Sequence, residues 1–168
     1  QFQLAIHNVN DNDYVSGIKY RSLYDVVCRA QTPMGKRYIK NILVNPFTSK
    51  KKIQNILTDV ETLIKNKLYR NLQSQLSGIT DIEKLRRKLS FKLLQPYELA
   101  DLIDAFNITK TILNSISTIK FKSLKIDENI NKNLDSLLKD LESTFIYDEL
   151  KKNLLKDIKT CFIQKNIN

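Results

Sequence analysis

Apolar residues recur along this chain at three- and four-residue intervals. Ile53, Ile56, Leu57, Val60, Leu63 and Ile64 fall at i, i+3, i+4 and i+7, one stripe on a 3.6-residue spiral. The same period predicts a helix through Leu68, Leu72 and Leu76, closed by Gly78 in the left-handed conformation that glycine tolerates. Pro96 opens a longer one with Leu99, Leu102, Ile103, Phe106, Leu113 and Ile116 along its inner face. Two more follow. Ile130, Leu134, Leu137, Leu138, Leu141 and Phe145 mark the first, and Leu150, Leu154, Ile158 and Phe162 the second. That last stripe meets no stop signal almost to the C-terminus, as a boundary inside a longer helix would leave it.

Start signals sharpen the pattern. Ser22 caps a short helix carrying Leu23, Val26 and Val27. Thr32 and Pro33 open the next: Thr suits the N-cap, and proline's missing N–H is unpaired at the first helical position anyway. That helix is expected to run to about Val44 and stop before Pro46. Thr80 and Glu83 read as a capping box. Residues 1–21 lack helical period and hold Asn8, Asn10, Asp11, Asn12, Asp13 and Gly17, an extended lead-in with a polar loop. A strand is admitted only near Leu4–Ile6. The expected fold class is therefore all-α, a multi-helix bundle with long amphipathic helices. It divides into a lead-in (1–21), a helical core (22–116), a linker (117–126) and a helical pair (127–168), one domain overall. Because the chain opens at Gln1 and not at Met, it is expected to be a piece of a longer protein.

Composition agrees: 168 residues, 42% hydrophobic and 27% charged, with only 3 Gly and 3 Pro, too few for a turn-rich β protein. The net charge of +10 raises the expectation of a polyanionic partner, against the plainer reading of a solvated lysine-rich surface. Residues 1–119 hold 18 Lys and Arg against 10 Asp and Glu. Basic clusters stand at Lys36–Arg37–Lys40, Lys50–Lys51–Lys52 and Arg86–Arg87–Lys88. Lys50–Lys52 opens a helix, where the dipole disfavours cations, which hints at a partner. Lys36, Lys40, Lys50, Lys51 and Lys52 are the candidate phosphate contacts, while Arg37 reads as structural, pairing an acid or capping carbonyls. Cys28 and Cys161 lie far apart in apolar surroundings and read as small buried side chains in a reducing, intracellular setting. With His7 alone they make no zinc framework. No apolar run approaches a membrane span.

No catalytic constellation emerges. Helix-start charge explains Asp81 and Glu83, and Asp101 and Asp104 read as the solvated face of the Pro96 helix. No Gly-rich phosphate loop is present, so ATPase activity is not expected of this segment, nor any cofactor or metal.

One stretch is more specific. Ser22–Phe47, SLYDVVCRAQTPMGKRYIKNILVNPF, resembles the opening of the helical core of MutS-type DNA mismatch repair proteins, through Ser22, Leu23, Thr32, Pro33, Met34, Gly35, Arg37, Ile42, Leu43, Pro46 and Phe47. Phe47–Thr48–Ser49 stands where that family has P-L-T/S. Gly78–Leu85, with Asp81 and Glu83, resembles its G-I-x-D-L-E-R-L helix, and Gln95–Leu99 its S-P-R-D-L step. Two departures stand out: a Trp common near Asn41–Ile42 is missing, and Lys84 replaces a usual Arg. The resemblance implies the first segment of the core, or lever, between DNA-reading and ATPase domains of a dimeric parent. ATP, Mg and most DNA contacts would belong to the parent's other domains. The alternatives are a free-standing basic helical nucleic-acid-binding module, resting on charge alone, and a helical adaptor using the last two stripes.

Overall fold

The structure is a computed structural model, and the residues it describes are 14–15, 18–19, 22–127, 129–153 and 161–164. The fold is all-α. Eight helices follow one another among the described residues: α1 (Leu23–Val27), α2 (Pro33–Val44), α3 (Lys50–Lys65), α4 (Tyr69–Ser77), α5 (Ile82–Ser90), α6 (Pro96–Ile116), α7 (Ile130–Thr144) and α8 (Tyr147–Lys152). Among the described residues, β-structure is limited to the hairpin β1 (Tyr14–Val15) and β2 (Ile18–Lys19) and one bridge between Phe145 and Ile163.

Helix starts obey local chemistry. The Ser22 hydroxyl accepts from the Asp25 N–H at 3.3 Å, Thr32 Oγ1 from the Gly35 N–H at 3.0 Å, and Ser49 Oγ from the Lys52 N–H at 3.4 Å. Pro33 and Pro96 take first-turn positions, and α2 ends at Val44. At α6 the Gln95 N–H donates to Glu98 Oε2 at 3.1 Å.

α6 is the centre. At 21 residues it runs about 31 Å and packs against α4, α5, α7 and α8. Ala100, Ile103, Leu138 and Leu150 form the buried cluster, flanked by Leu99, Phe106, Leu134, Leu141, Phe145, Tyr147 and Phe162. Ala100 and Ala105 are fully buried, so neighbouring helices approach the α6 backbone closely there.

Several expectations need correction. The hairpin at 14–19 interrupts what read as an extended lead-in; the proposed strand at Leu4–Ile6 and His7 lie outside the described residues. The N-cap of α5 is Asp81, not Thr80: Asp81 Oδ1 accepts from the Lys84 N–H at 3.1 Å, and Glu83 turns to Arg37. Gly78 is not left-handed. Its φ is −83°, and a Cβ there would stand 2.9 Å from Ile108 Cδ1, so glycine admits a close approach of α6. Left-handed residues end α3 and α5 instead, and both are lysines, Lys67 (φ 54°) and Lys92 (φ 57°). In each turn the next N–H reaches back five residues, Leu68 to Leu63 and Leu93 to Lys88, in the Schellman pattern.

The final stripe does not form one helix. α8 ends at Lys152, Asn153 is extended, and Phe162 returns as extended chain whose carbonyl accepts from the Ile146 N–H at 2.8 Å. Leu154 and Ile158 lie outside the described residues. Phe162 does reach the core, as its place in the stripe implied, but by doubling back.

Candidate functional site

Several polar ties of this molecule join segments that are far apart in sequence. Arg37, one turn into α2, donates from Nη1 to Asp81 Oδ2 at 2.7 Å and from Nη2 to Asp81 Oδ1 at 2.8 Å; Nη2 also reaches Glu83 Oε2 at 2.5 Å. The local sequence explains the placement. Thr32 and Pro33 fix where α2 starts, and Gly35 keeps the cap open, since a Cβ there would stand 2.9 Å from Thr32 Oγ1. The guanidinium, with the Lys84 N–H, holds the Asp81 carboxyl down at about 2, against the opposing effect of burial. α5 is tied onward to α6 by Lys88 and Glu98. Burial pushes the Glu98 carboxyl up, but the Lys88 ammonium and the Gln95 N–H outweigh it and leave it lowered.

Asp59 is the residue sequence reasoning passed over. It is buried on α3, and its carboxylate accepts the N–H groups of Lys122 and Ser123, each at 2.7 Å, together with the Ser123 hydroxyl. Burial opposes its ionisation, but these bonds and one from the Leu124 N–H leave its pKa lowered. No local signal marks Asp59, because its partners lie 63 and 64 residues on, in the stretch that read as a linker.

Less than two turns beyond Glu98, α6 carries a third tie. The Tyr147 hydroxyl donates to Asp104 Oδ1 at 2.5 Å, and Lys151 Nζ lies 3.2 Å from Asp104 Oδ2 and 4.7 Å from the centre of the Tyr147 ring. Asp104 is thus engaged and half-buried, while Asp101 stays exposed as expected of a solvated face. A cleft of about 540 Å³ between α6, α7 and α8 is lined by Ile103, Asp104, Leu141, Phe145 and Tyr147 among others.

The candidate phosphate contacts do not converge on one site. Lys36 and Lys40 are exposed on α2; Lys50, Lys51 and Lys52 are exposed at the start of α3, with Lys52 Nζ 4.0 Å above the Phe47 ring. Of the motif residues, Ser22 and Thr32 are buried, Met34 and Gly35 half-buried, and Leu23, Pro33 and Pro46 exposed. On α3, Ile53, Leu57, Val60 and Ile64 of the apolar stripe are exposed, Ile56 and Leu63 are half-buried, and the buried residue is Asp59. Cys161 is exposed and Cys28 half-buried, so the expectation of two buried thiols fails, most plainly for Cys161, which lies on the extended return strand. Among the described residues no group of His, Cys, Asp and Glu is placed to hold a metal, and no helix is long and apolar enough to cross a membrane.

A family model described as MutS domain III matches residues 2–164. A DNA mismatch repair protein mutS homolog of Acanthamoeba polyphaga mimivirus is 33% identical over 100 residues, 58% of this chain and 9% of that protein. The DNA mismatch repair protein MutS of Aquifex pyrophilus is 28% identical over 145 residues, 86% of this chain and 17% of its own length. MutS of Chlamydia abortus is 36% identical over 99 residues, 58% of this chain and 12% of its own. The chain therefore spans less than a fifth of the length of these relatives. No solved structure matches it.

Proposed function

The chain belongs to the MutS domain III family, and on that footing we propose that it is a non-catalytic core, or lever, segment of a longer MutS-like DNA mismatch repair protein. In that protein it couples an ATPase to the grip on mismatched DNA. One observation supports the relay above all: a continuous line of polar ties across packed helices. Arg37 joins α2 to α5, Lys88 and Glu98 join α5 to α6, and Asp104 with Tyr147 and Lys151 joins α6 to α8. A displacement imposed on α2 is passed through the first half of α6 to α8 because close-packed helices shift as bodies and do not deform continuously. ATP and Mg act in the parent's other domains, the parent works as a dimer, and its DNA is held mainly outside this segment. Lys36 and Lys40 add contacts to phosphate that carry no sequence information.

The test uses both the 168-residue chain and the longer protein. Titrated against matched and mismatched duplexes, the chain is expected to bind weakly, to lose binding as salt rises, and to treat the two duplexes alike. A clear mismatch preference at physiological salt sinks this reading. Tight binding to every duplex favours the basic free-standing module, which rests on the net charge of +10. In the longer protein, Arg37→Ala combined with Asp104→Ala should keep basal ATP hydrolysis and DNA binding while losing the stimulation of one by the other. Unchanged stimulation excludes the relay.

A further inference from the structure

α3 is fastened to the molecule by a polar joint. No described helix packs closely along it, and of its apolar side chains only Ile56 and Leu63 are even half-buried. Its own sequence supports it weakly. Six of its sixteen residues are β-branched, and Lys50, Lys51 and Lys52 stand at the end where the dipole disfavours cations. The Thr58 and Thr62 hydroxyls donate back to the Gln54 and Thr58 carbonyls at 2.9 and 2.8 Å, bonds that slightly weaken a helix. A helix of about this length is marginal in water when it stands alone.

The joint is built around an anion. The N–H groups of three successive residues, Lys122, Ser123 and Leu124, turn onto the Asp59 carboxylate, and the Ser123 hydroxyl joins them. Successive backbone N–H groups form a nest that suits negative charge, and bonds to a charged acceptor are about twice as strong as neutral ones. Among the described residues, every hydrogen bond of residues 120–126 runs to Asp59. One carboxylate therefore holds α3 and orders the stretch between α6 and α7. It lies about 130° round α3 from the middle of the strip formed by Ile53, Leu57, Val60 and Ile64, so the joint stands whatever the longer protein sets against that strip.

We propose that α3 opens and closes as a unit against residues 120–126, with Asp59 as the latch. Closed, α3 moves with the α6–α7 junction; open, it unwinds while the core around α6 stays packed. The core does not need α3, since Ala100, Ile103, Leu138, Leu150 and the side chains flanking them all lie outside it. The latch rests on these contacts and not on the relay proposed above.

Native-state hydrogen exchange of the 168-residue chain, in urea below the unfolding transition, reads the latch directly. The amides of α3 and those of Lys122, Ser123 and Leu124 are expected to share one opening curve. Its urea slope should be smaller than that of the α6 amides, which wait for global unfolding. Asp59→Asn should speed exchange in α3 and in residues 122–124 by the same factor, about tenfold or more. Ser123→Ala cuts the clasp from the other side, at an exposed residue, and should speed both by one common factor of about fivefold. The curves of the unsubstituted chain and of Ser123→Ala decide the matter even where Asp59→Asn does not fold. Two results overturn the proposal: α3 amides that open only together with those of α6, or α3 amides whose rates stay unchanged in the variants.

Discussion

Asp81 serves Arg37 and its own helix with the same carboxylate: Oδ1 accepts both from the Lys84 N–H that opens α5 and from Arg37 Nη2, while Oδ2 takes Arg37 Nη1. Cap and tie cannot be lost separately by truncation. Asp81→Ala is expected to destabilise the chain by about 1–2 kcal/mol, most of it the cap. Asp81→Asn keeps a good N-cap acceptor and loses only the charge, so it should fall clearly short of that. Urea unfolding at constant m-value separates the two, and equal losses would mean that the cap contributes nothing.

Acid should weaken this fold through three carboxylates together. Asp81 is held down at about 2, and Asp59 and Glu98 are also lowered. With folded pKa values below the unfolded ones, the unfolded chain takes up protons first as pH falls. Stability is therefore fully present above the ordinary carboxylate range and is lost from about pH 5 down toward pH 2. In Asp59→Asn this loss should be shallower, and the Lys122 and Ser123 amides should exchange with solvent about tenfold faster or more at neutral pH. A pH profile identical to that of the parent chain would show that the clasp does not stabilise it.

Lys92 and Lys67 occupy a backbone conformation that costs a side chain about 1 kcal/mol and glycine almost nothing. Both side chains are exposed, so nothing is lost by removing them. Lys92→Gly should raise stability by about 0.5–1 kcal/mol, a Tm gain of about 1–4 °C. Lys92→Ala, still a side chain in the left-handed region, should bring no gain. A fall in Tm for the glycine variant would contradict the Schellman geometry.

Gly78 behaves in the opposite way. Its backbone suits any residue, and the atom a Cβ would meet is the mobile end of Ile108. Gly78→Ala should thus fall within about 0.5 kcal/mol of the parent chain, while Gly78→Leu should lose about 1–3 kcal/mol by overfilling the α4–α6 contact. A large loss with alanine would restore the left-handed cap that the sequence pattern suggested.

Helix starts and the central helix were legible because their causes are local. Thr32–Pro33 and Pro96 each carry their signal within a few residues, and the α6 stripe follows one period throughout. Ends were harder, since Lys67 and Lys92 take a conformation that sequence habit assigns to glycine. The stripe on α3 was found as a pattern, but periodicity does not say which way it points: Ile56 and Leu63 are half-buried while Ile53, Leu57, Val60 and Ile64 are exposed. Asp59 decides that through partners more than sixty residues away. The C-terminal stripe fails for a similar reason, because Phe162 fulfils its apolar role from an extended strand paired back to Phe145. Of the candidate contacts, the motif residue Arg37 shows its ties plainly, whereas the lysines scatter over α2 and α3.

The central position of α6 also sets an order of assembly. Its neighbours α4 and α5 precede it closely in the chain, so the loops that bring them against it are short, whereas α8 closes on it over 43 residues, between Asp104 and Tyr147. The Arg37 tie and the Asp59 clasp close loops of 44 and 63 residues. The α4–α6 stretch is therefore expected to order before the α6–α8 contact, the Arg37 tie and the Asp59 clasp close. Pulsed hydrogen exchange during refolding should find the α6 amides protected before those of α3; simultaneous protection would mean that the whole chain condenses as one cooperative unit.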